Sequence, residues 1–231
     1  PAGLLVFEGM RVGFQAGDLA INLSDMSMSA YPSTSFDTTV MWLSIAKIHL
    51  ASANDASQEL ATRWEEAPER RRNFLLLELG SAMQIVLSCA IVLEVMYDRL
   101  KRAGVLRSVE QIWRKNRTAR YARISAAVAL AFRNPNKEAQ QIRSSIQRVF
   151  ELRDRCVHPS QGLARAARRS GIPVGLDWRF CTYTYENAKV CFEDTVRLIF
   201  LLHERRSGIK MVDTDLDFIV GSLCRAGIAI A

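Results

Sequence analysis

One long uncharged run constrains the fold of this chain more than any other feature. The fifteen residues from Leu79 to Leu93 carry no charged side chain, and Glu78 and Glu94 bracket them. A membrane-spanning helix needs about 20 apolar residues, so we expect no membrane span here. Small residues interrupt the run and let neighbouring elements approach closely. The run therefore predicts a buried helix at the centre of a helical bundle.

Helix start and stop signals divide most of the chain into further helices. Pro68 opens the helix that carries the uncharged run, and Gly104 ends it. Ser108 is a predicted N-cap, and Asn134 followed by Pro135 is a cap with proline at the first helical position. The predicted helices cover residues 37–63, 68–102, 109–133, 135–157, 185–206 and 215–225.

Short alternating segments predict a small amount of β-structure. Residues 4–23 alternate around a Gly-containing turn at residues 15–18 and predict a β-hairpin, followed by a Ser/Thr/Pro-rich connector. Residues 178–185 predict a brief strand that could pair with this hairpin. The expected fold class is all-α, a helical bundle with a small N-terminal β-hairpin. The expected domains are residues 1–35, hairpin and connector, and residues 36–231, the helical domain with a short C-terminal helix.

Composition narrows the class of partner and the compartment. The 231 residues are 49% hydrophobic, which supports a substantial core, and the net charge of +7 favours an anionic partner such as nucleic acid. The five cysteines form no CxxC pair, and His49 and His203 lack partners at metal-ligand spacing. We therefore expect no disulfide framework, no metal and no cofactor. The absence of a secretory-signal pattern and the cysteine usage favour a cytoplasmic location.

The end of the fourth predicted helix gathers an arginine and a histidine. At about 100° per residue, Arg153 falls near the centre of the apolar face of this helix, where a guanidinium is costly unless it is paired or used. Pro159 disfavours helical geometry at His158, so we expect its ring to swing back toward the last turn. The apolar face comprises Ile142, Ile146, Val149, Phe150, Cys156 and Val157.

These residues carry a resemblance to a known family. A core helix ends with Arg153, the polar residue Asp154, three further residues and His158. It is followed by a variable loop and then by residues 182–185, which lead into a last long helix. This arrangement resembles the HEPN superfamily, whose fold is an antiparallel helical bundle. The resemblance covers residues 37–206, and the N-terminal hairpin and C-terminal helix are additions to it.

The resemblance implies a metal-independent endoribonuclease that works as a homodimer on single-stranded RNA. Two copies of the motif would meet across the interface and leave a 2′,3′-cyclic phosphate end. Arg153 would stabilise charge on the phosphorane, His158 would transfer protons, and Asp154 would orient the imidazole or hold Arg153. Such proteins serve as toxins or defence effectors, so the resemblance also implies a neutralising antitoxin protein as a partner.

Basic and aromatic residues near the motif are candidates for RNA contacts. The loop after the motif is rich in arginine, and a second basic cluster lies at residues 107–123. Aromatic side chains at the entry to the last long helix offer surfaces on which unpaired bases stack. The candidate RNA-binding residues are Arg155, Arg165, Arg168, Arg169 and Tyr183.

Each of these features has a structural alternative. Arg153 pairs with a buried carboxylate such as Glu78 or Glu94 in this alternative, and His158 interacts favourably with the helix dipole. The basic cluster is then a solvated helix face, and the aromatic residues pack against the bundle. The corresponding functions are a non-catalytic HEPN-like module that binds nucleotide, RNA or protein, or a purely structural dimer.

Overall fold

The computed structural model of the chain is mostly helical. It describes residues 10–13, 19–22, 24, 27–30, 33–62, 64, 68–133, 136–158 and 164–229. The chain divides into two compact units, Pro1–Thr38 and Thr39–Ala231. All helices of the described residues lie in the second unit.

Most helix bounds agree with those that the sequence predicts. The four long helices begin and end within about two residues of their expected bounds, because caps, prolines and glycines mark their ends. The helices are α1 (Thr39–Thr62), α2 (Pro68–Arg102), α3 (Glu110–Lys115), α4 (Arg120–Phe132), α5 (Asn136–Val157), α6 (Trp178–Thr182), α7 (Tyr185–Arg205) and α8 (Lys210–Arg225).

Helix α2 is the centre of the helical unit, as predicted from its uncharged run. It contacts α1, α4, α5, α6 and α7, and it buries Ile85, Cys89 and Leu93 at 0–1% exposure. Among the described residues, α2 alone is long and apolar enough to cross a membrane by length and composition. Half of its most apolar stretch is buried within the unit, which is compatible with a soluble protein.

Polar contacts tie α8 and the turn after it to the rest of the unit. Arg99 on α2 and Asp215 on α8 form a buried ion pair with an Nε–Oδ2 distance of 2.9 Å. Lys47 on α1 donates from Nζ to the backbone oxygens of Ala226 and Gly227, at 3.1 and 3.0 Å. The first and last helices are therefore joined directly.

The single helix predicted for residues 109–133 is wrong, because the chain breaks there into α3 and α4. Arg117 adopts a left-handed conformation with φ of 49°, and the N–H of Thr118 bonds to the carbonyl of Trp113. The guanidinium of Arg123 then donates from Nε to the Thr118 carbonyl at 2.7 Å and from Nη2 to the Trp113 carbonyl at 3.3 Å. No glycine or proline marks this break in the sequence.

The strand predicted for residues 178–185 is also wrong. Trp178–Thr182 forms the one-turn helix α6, because the Asp177 carboxylate accepts from the backbone N–H of Arg179 at 2.9 Å. Helix α8 begins at Lys210, earlier than the predicted residue 215. In α8, the carboxylate of Asp213 accepts hydrogen bonds from the backbone N–H groups of Ser207 and Gly208 in the preceding turn.

The strands of the first unit pair differently from the predicted hairpin. Among the described residues, Met10–Gly13 (β1) pairs antiparallel with Ser33–Phe36 (β4), and Leu19–Asn22 (β2) pairs antiparallel with Ser27–Ala30 (β3). The partners come from the segment predicted as a connector, where Ser and Thr alternate with larger residues and so hide a strand pattern. The predicted turn at residues 15–18 lies outside the described residues.

Candidate functional site

The last turns of α5 bring the motif residues to the edge of the core. Ile142, Ile146, Val149 and Phe150 are buried at 1–7% exposure, which confirms the predicted apolar face up to this point. Beyond Phe150 the same face emerges from the core, and Val157 is 45% exposed. The motif therefore lies where α5 leaves the bundle and reaches solvent.

Arg153 is half-buried and held by three contacts within its own chain. Its guanidinium lies over the Phe150 ring at 5.1 Å, and its Nη1 donates to Oδ1 of Asp154 at 2.6 Å. Its Nη2 is 3.7 Å from Oε1 of Glu94, an ion pair longer than a hydrogen bond. The side chain remains 30% exposed. The Glu94 pair that the sequence offered as an alternative is thus present.

Glu94 pairs more closely with a second arginine. Nε of Arg120, the first residue of α4, donates to both Glu94 carboxylate oxygens, at 2.9 and 2.8 Å, and its Nη2 contacts Oε2. The same guanidinium lies over the Tyr97 ring at 4.1 Å. One carboxylate therefore faces two guanidiniums; we call Glu94, Arg120, Arg153 and Asp154 the Glu94 cluster.

His158 follows the end of α5 and is exposed. Its backbone N–H donates to the Asp154 carbonyl at 2.9 Å, which continues the helical pattern by one residue. Its ring makes no hydrogen bond to any residue that the structure describes. The sequence predicts that Asp154 either orients the imidazole or holds Arg153. Its carboxylate contacts Arg153, which is the second of these roles. Pro159, predicted to redirect His158, lies outside the described residues.

Tyr183 is not exposed for base stacking, which corrects its place among the candidate RNA contacts. It is 2% exposed, and its hydroxyl donates to the Leu152 carbonyl at 2.8 Å. Burial raises the pKa of Tyr183 to about 12, because the phenolate would lose its hydration. Tyr183 therefore fastens the entry of α7 to the helix that carries the motif.

Arg169 is likewise a structural residue, which corrects its predicted RNA contact. Its Nη2 donates to Oε1 of Glu78 at 2.8 Å, its Nη1 donates to Oε2 at 2.5 Å, and Glu78 is 1% exposed. The Glu78 carboxylate also accepts from the backbone N–H of Tyr185 at 2.9 Å. This contact docks the arginine-rich loop onto α2 and the start of α7.

Three of the predicted RNA contacts do reach solvent. Arg155, Arg165 and Arg168 are exposed, on the last turns of α5 and on the loop that follows it. Within the basic cluster at residues 107–123, Arg114 pairs with Glu110 and Arg123 bonds to backbone carbonyls. Arg155, Arg165 and Arg168 therefore stay candidates for backbone phosphate contacts.

An apolar surface on the solvent side of α2 is not among the features that the sequence predicts. Leu76 and Leu77 are 45% and 48% exposed, and further apolar residues follow on the same side of the helix. At Gly80, apart from the adjacent turns of its own helix, no atom of the described residues lies within 4 Å of the position a Cβ would occupy. We call this surface the α2 outer face; it comprises the exposed residues Leu76, Leu77 and Gly80 and the partly buried residues Leu87, Ile91 and Val95. It ends beside Glu94, and the uncharged run at residues 79–93 was the available signal.

Comparisons with known proteins leave the family open. No family model matches the chain, and neither a curated protein nor a solved structure matches it. Within the described residues, no group of three or more His, Cys, Asp or Glu side chains could hold a metal ion. The HEPN resemblance stays a prediction that depends on Arg153, Asp154 and His158.

Proposed function

We propose that this protein is a metal-independent endoribonuclease whose active site is completed by a second copy of the chain. The observation that carries the proposal is the placement of Arg153 and His158 on the emerging end of α5. Both side chains reach solvent, and the His158 ring is left without a hydrogen-bond partner among the described residues. Exposed Arg155 on α5, and exposed Arg165 and Arg168 on the loop that follows, supply positive charge for an RNA backbone.

One copy of the motif supplies only one imidazole, whereas transesterification of RNA uses a base and an acid. In the proposed reaction, a neutral His158 takes the proton of the 2′-hydroxyl, whose oxygen attacks the adjacent phosphorus. The bond from phosphorus to the 5′-oxygen breaks, and a protonated His158 from the second copy donates a proton to that oxygen. The products are a 2′,3′-cyclic phosphate and a 5′-hydroxyl. The two Arg153 guanidiniums stabilise the charge on the phosphorane.

The α2 outer face gives two copies a surface on which to meet. Apolar surface of this kind marks a site of association, and a two-fold axis repeats each residue without additional sequence. Because the face ends beside Glu94, an axis close to Ile91 brings both motif ends together. A toxin or defence effector in the cytoplasm, controlled by a neutralising antitoxin, is the biological role that we propose for such an enzyme.

The test is cleavage of single-stranded RNA by the purified full chain in the presence of EDTA. We expect a 2′,3′-cyclic phosphate product, and we expect Arg153→Ala and His158→Ala each to lower the rate by at least about 100-fold, since both act on the reacting atoms. His49→Ala is the matched control and keeps the activity. Intact RNA with the wild-type chain, or full activity of either motif variant, contradicts the proposal.

A non-catalytic RNA-binding module is the second candidate, and one observation favours it. Arg153 is already engaged by Asp154 and Glu94 within a single chain, as in a structural ion pair. A module of this kind binds RNA without cleaving it, and its affinity is unchanged by His158→Ala. The same cleavage and binding measurements therefore separate the two candidates.

A further inference from the structure

We propose that Arg120 is a second phosphate-binding arginine of the site and that Glu94 is the residue that positions Arg120 and Arg153 together. The proposal rests on the function proposed above and names the substrate group, a backbone phosphodiester. Its basis is the Glu94 carboxylate, which contacts both arginines. The residues of the Glu94 cluster come from three different helices, α2, α4 and α5.

The position of Arg120 is unfavourable unless a partner compensates it. It is the first residue of α4, and a cation at a helix N-terminus is opposed by the helix dipole. The N-cap residue Ala119 offers no side-chain hydrogen bond. Glu94 from α2 supplies the compensating charge, and the Tyr97 ring supports the flat face of the guanidinium. The guanidinium is therefore fixed in direction.

Both arginines keep hydrogen-bond donors that no described residue uses. Glu94 occupies Nε and Nη2 of Arg120, and no residue that the structure describes accepts from its Nη1. The Arg120 side chain is 35% exposed, close to the 30% of Arg153. Two partly exposed guanidiniums on one carboxylate suit the non-bridging oxygens of a phosphodiester, which accept forked hydrogen bonds.

The contacts of the cluster explain why Glu94 positions rather than binds. Glu94 and Asp154 together balance the charges of Arg120 and Arg153, so Glu94 fixes the two guanidiniums side by side, and the donors that they keep contact the anion. Without Glu94, both arginines keep their charge but lose their fixed direction. We therefore expect phosphate binding and catalysis to respond differently to its removal.

The binding measurement uses a short single-stranded 2′-O-methyl oligonucleotide, which has the RNA backbone but no 2′-hydroxyl to attack. We expect Arg120→Ala to weaken its binding to the full chain about tenfold, the size expected for one charge-assisted hydrogen bond. The slope of log affinity against log salt falls by about one. Arg120→Lys restores the slope, because it keeps the charge.

The cleavage measurement uses unmodified RNA of the same sequence. We expect Glu94→Gln to lower cleavage at least about tenfold while oligonucleotide affinity stays equal or rises, because a negative charge is removed from beside two arginines. The matched control is Glu138→Gln, which removes the carboxylate of the partly exposed Arg205–Glu138 ion pair between α5 and α7. It changes stability but leaves cleavage and binding unchanged.

The outcomes separate this inference from the proposed function. If the wild-type chain binds the oligonucleotide but does not cleave RNA, the ribonuclease proposal fails and the loss of affinity in Arg120→Ala still supports the phosphate site. Cleavage by the wild type with unchanged affinity and salt slope in Arg120→Ala overturns the inference alone. A wild-type chain without affinity for the oligonucleotide at low salt overturns it as well.

Discussion

Two carboxylates with different exposure decide what their arginines can do. Glu78 is 1% exposed, and removing one partner of such a buried pair costs about 3–5 kcal/mol. Arg169 is therefore committed to the fold. Glu94 is 26% exposed, so solvent weakens its hold on Arg120 and Arg153 and a competing anion can contact them.

The Tyr183 hydroxyl is expected to stabilise the fold, and its removal tests this. We expect Tyr183→Phe to lower the free energy of unfolding by about 1 kcal/mol, because the Leu152 carbonyl loses its donor. Since burial raises the pKa of Tyr183 from 10 to about 12, the folded state holds its proton more tightly. Its contribution is fully present below pH 10 and is lost as the pH rises toward 12.

The measurement is urea unfolding of the wild type and Tyr183→Phe at several alkaline pH values. The difference in unfolding free energy between the two proteins narrows across this window. Tyr185→Phe is the matched control, since its ring is only partly buried. A difference that stays constant with pH contradicts the assignment.

The sequence predicts which face of α5 carries Arg153, but not the partners of its arginines. Periodicity alone places Ile146, Phe150 and Arg153 on one side of the helix. Arg169 and Glu78 are separated by 91 residues, and their contact depends on the path of the loop over α2. Helical periodicity contains no information on that path.

Helix boundaries were predictable where a residue type enforces them. Pro68 and Gly104 mark the ends of α2 in the sequence and in the structure. The break before α4 depends on Arg117 in a left-handed conformation, which arginine adopts rarely, so its sequence carries no signal. Asp177 caps α6, but the alternating residues after it resemble a strand as much as one helical turn.

Gly80 allows a test of how helix α2 contributes to stability. A glycine inside a helix costs up to about 1 kcal/mol relative to alanine, and beyond its own helical turns no described atom lies within 4 Å of the position of a Cβ at Gly80. We expect Gly80→Ala to raise the free energy of unfolding of the monomer by about 0.5–1 kcal/mol. Urea unfolding at low protein concentration measures this change.

Gly104→Ala is the opposite control. Gly104 has a φ of 81°, and a Cβ there would lie 3.2 Å from Nε of Arg107. Alanine is strained in this conformation, so we expect a loss of stability. A destabilised Gly80→Ala monomer would mean that the space beside α2 is occupied within one chain.

At the scale of the whole molecule, the α2 outer face leads to a test of assembly. We expect the wild type to have the mass of a dimer in sedimentation equilibrium and Ile91→Glu to have that of a monomer, because two carboxylates would be buried at the axis. RNA cleavage falls with the dimer, since each protomer has one His158.

Ile48→Glu on α1 is the matched control, because Ile48 is 67% exposed and lies outside the α2 outer face. It leaves both mass and activity unchanged. A wild type that is monomeric yet cleaves RNA would contradict the two-copy site. The mostly helical architecture and the central place of α2 followed from the sequence, whereas the exposed side of α2 depends on which neighbours cover it, and the sequence does not show that.

The contact of Lys47 with the turn after α8 gives the helical unit a property of its own. Opening the last helix withdraws the two carbonyl acceptors from Lys47, and opening α1 withdraws the ammonium from those carbonyls. Opening at one end of the unit therefore removes a stabilising contact from the other end. We expect the backbone amides near Lys47 and at the end of α8 to exchange faster together when this contact is removed.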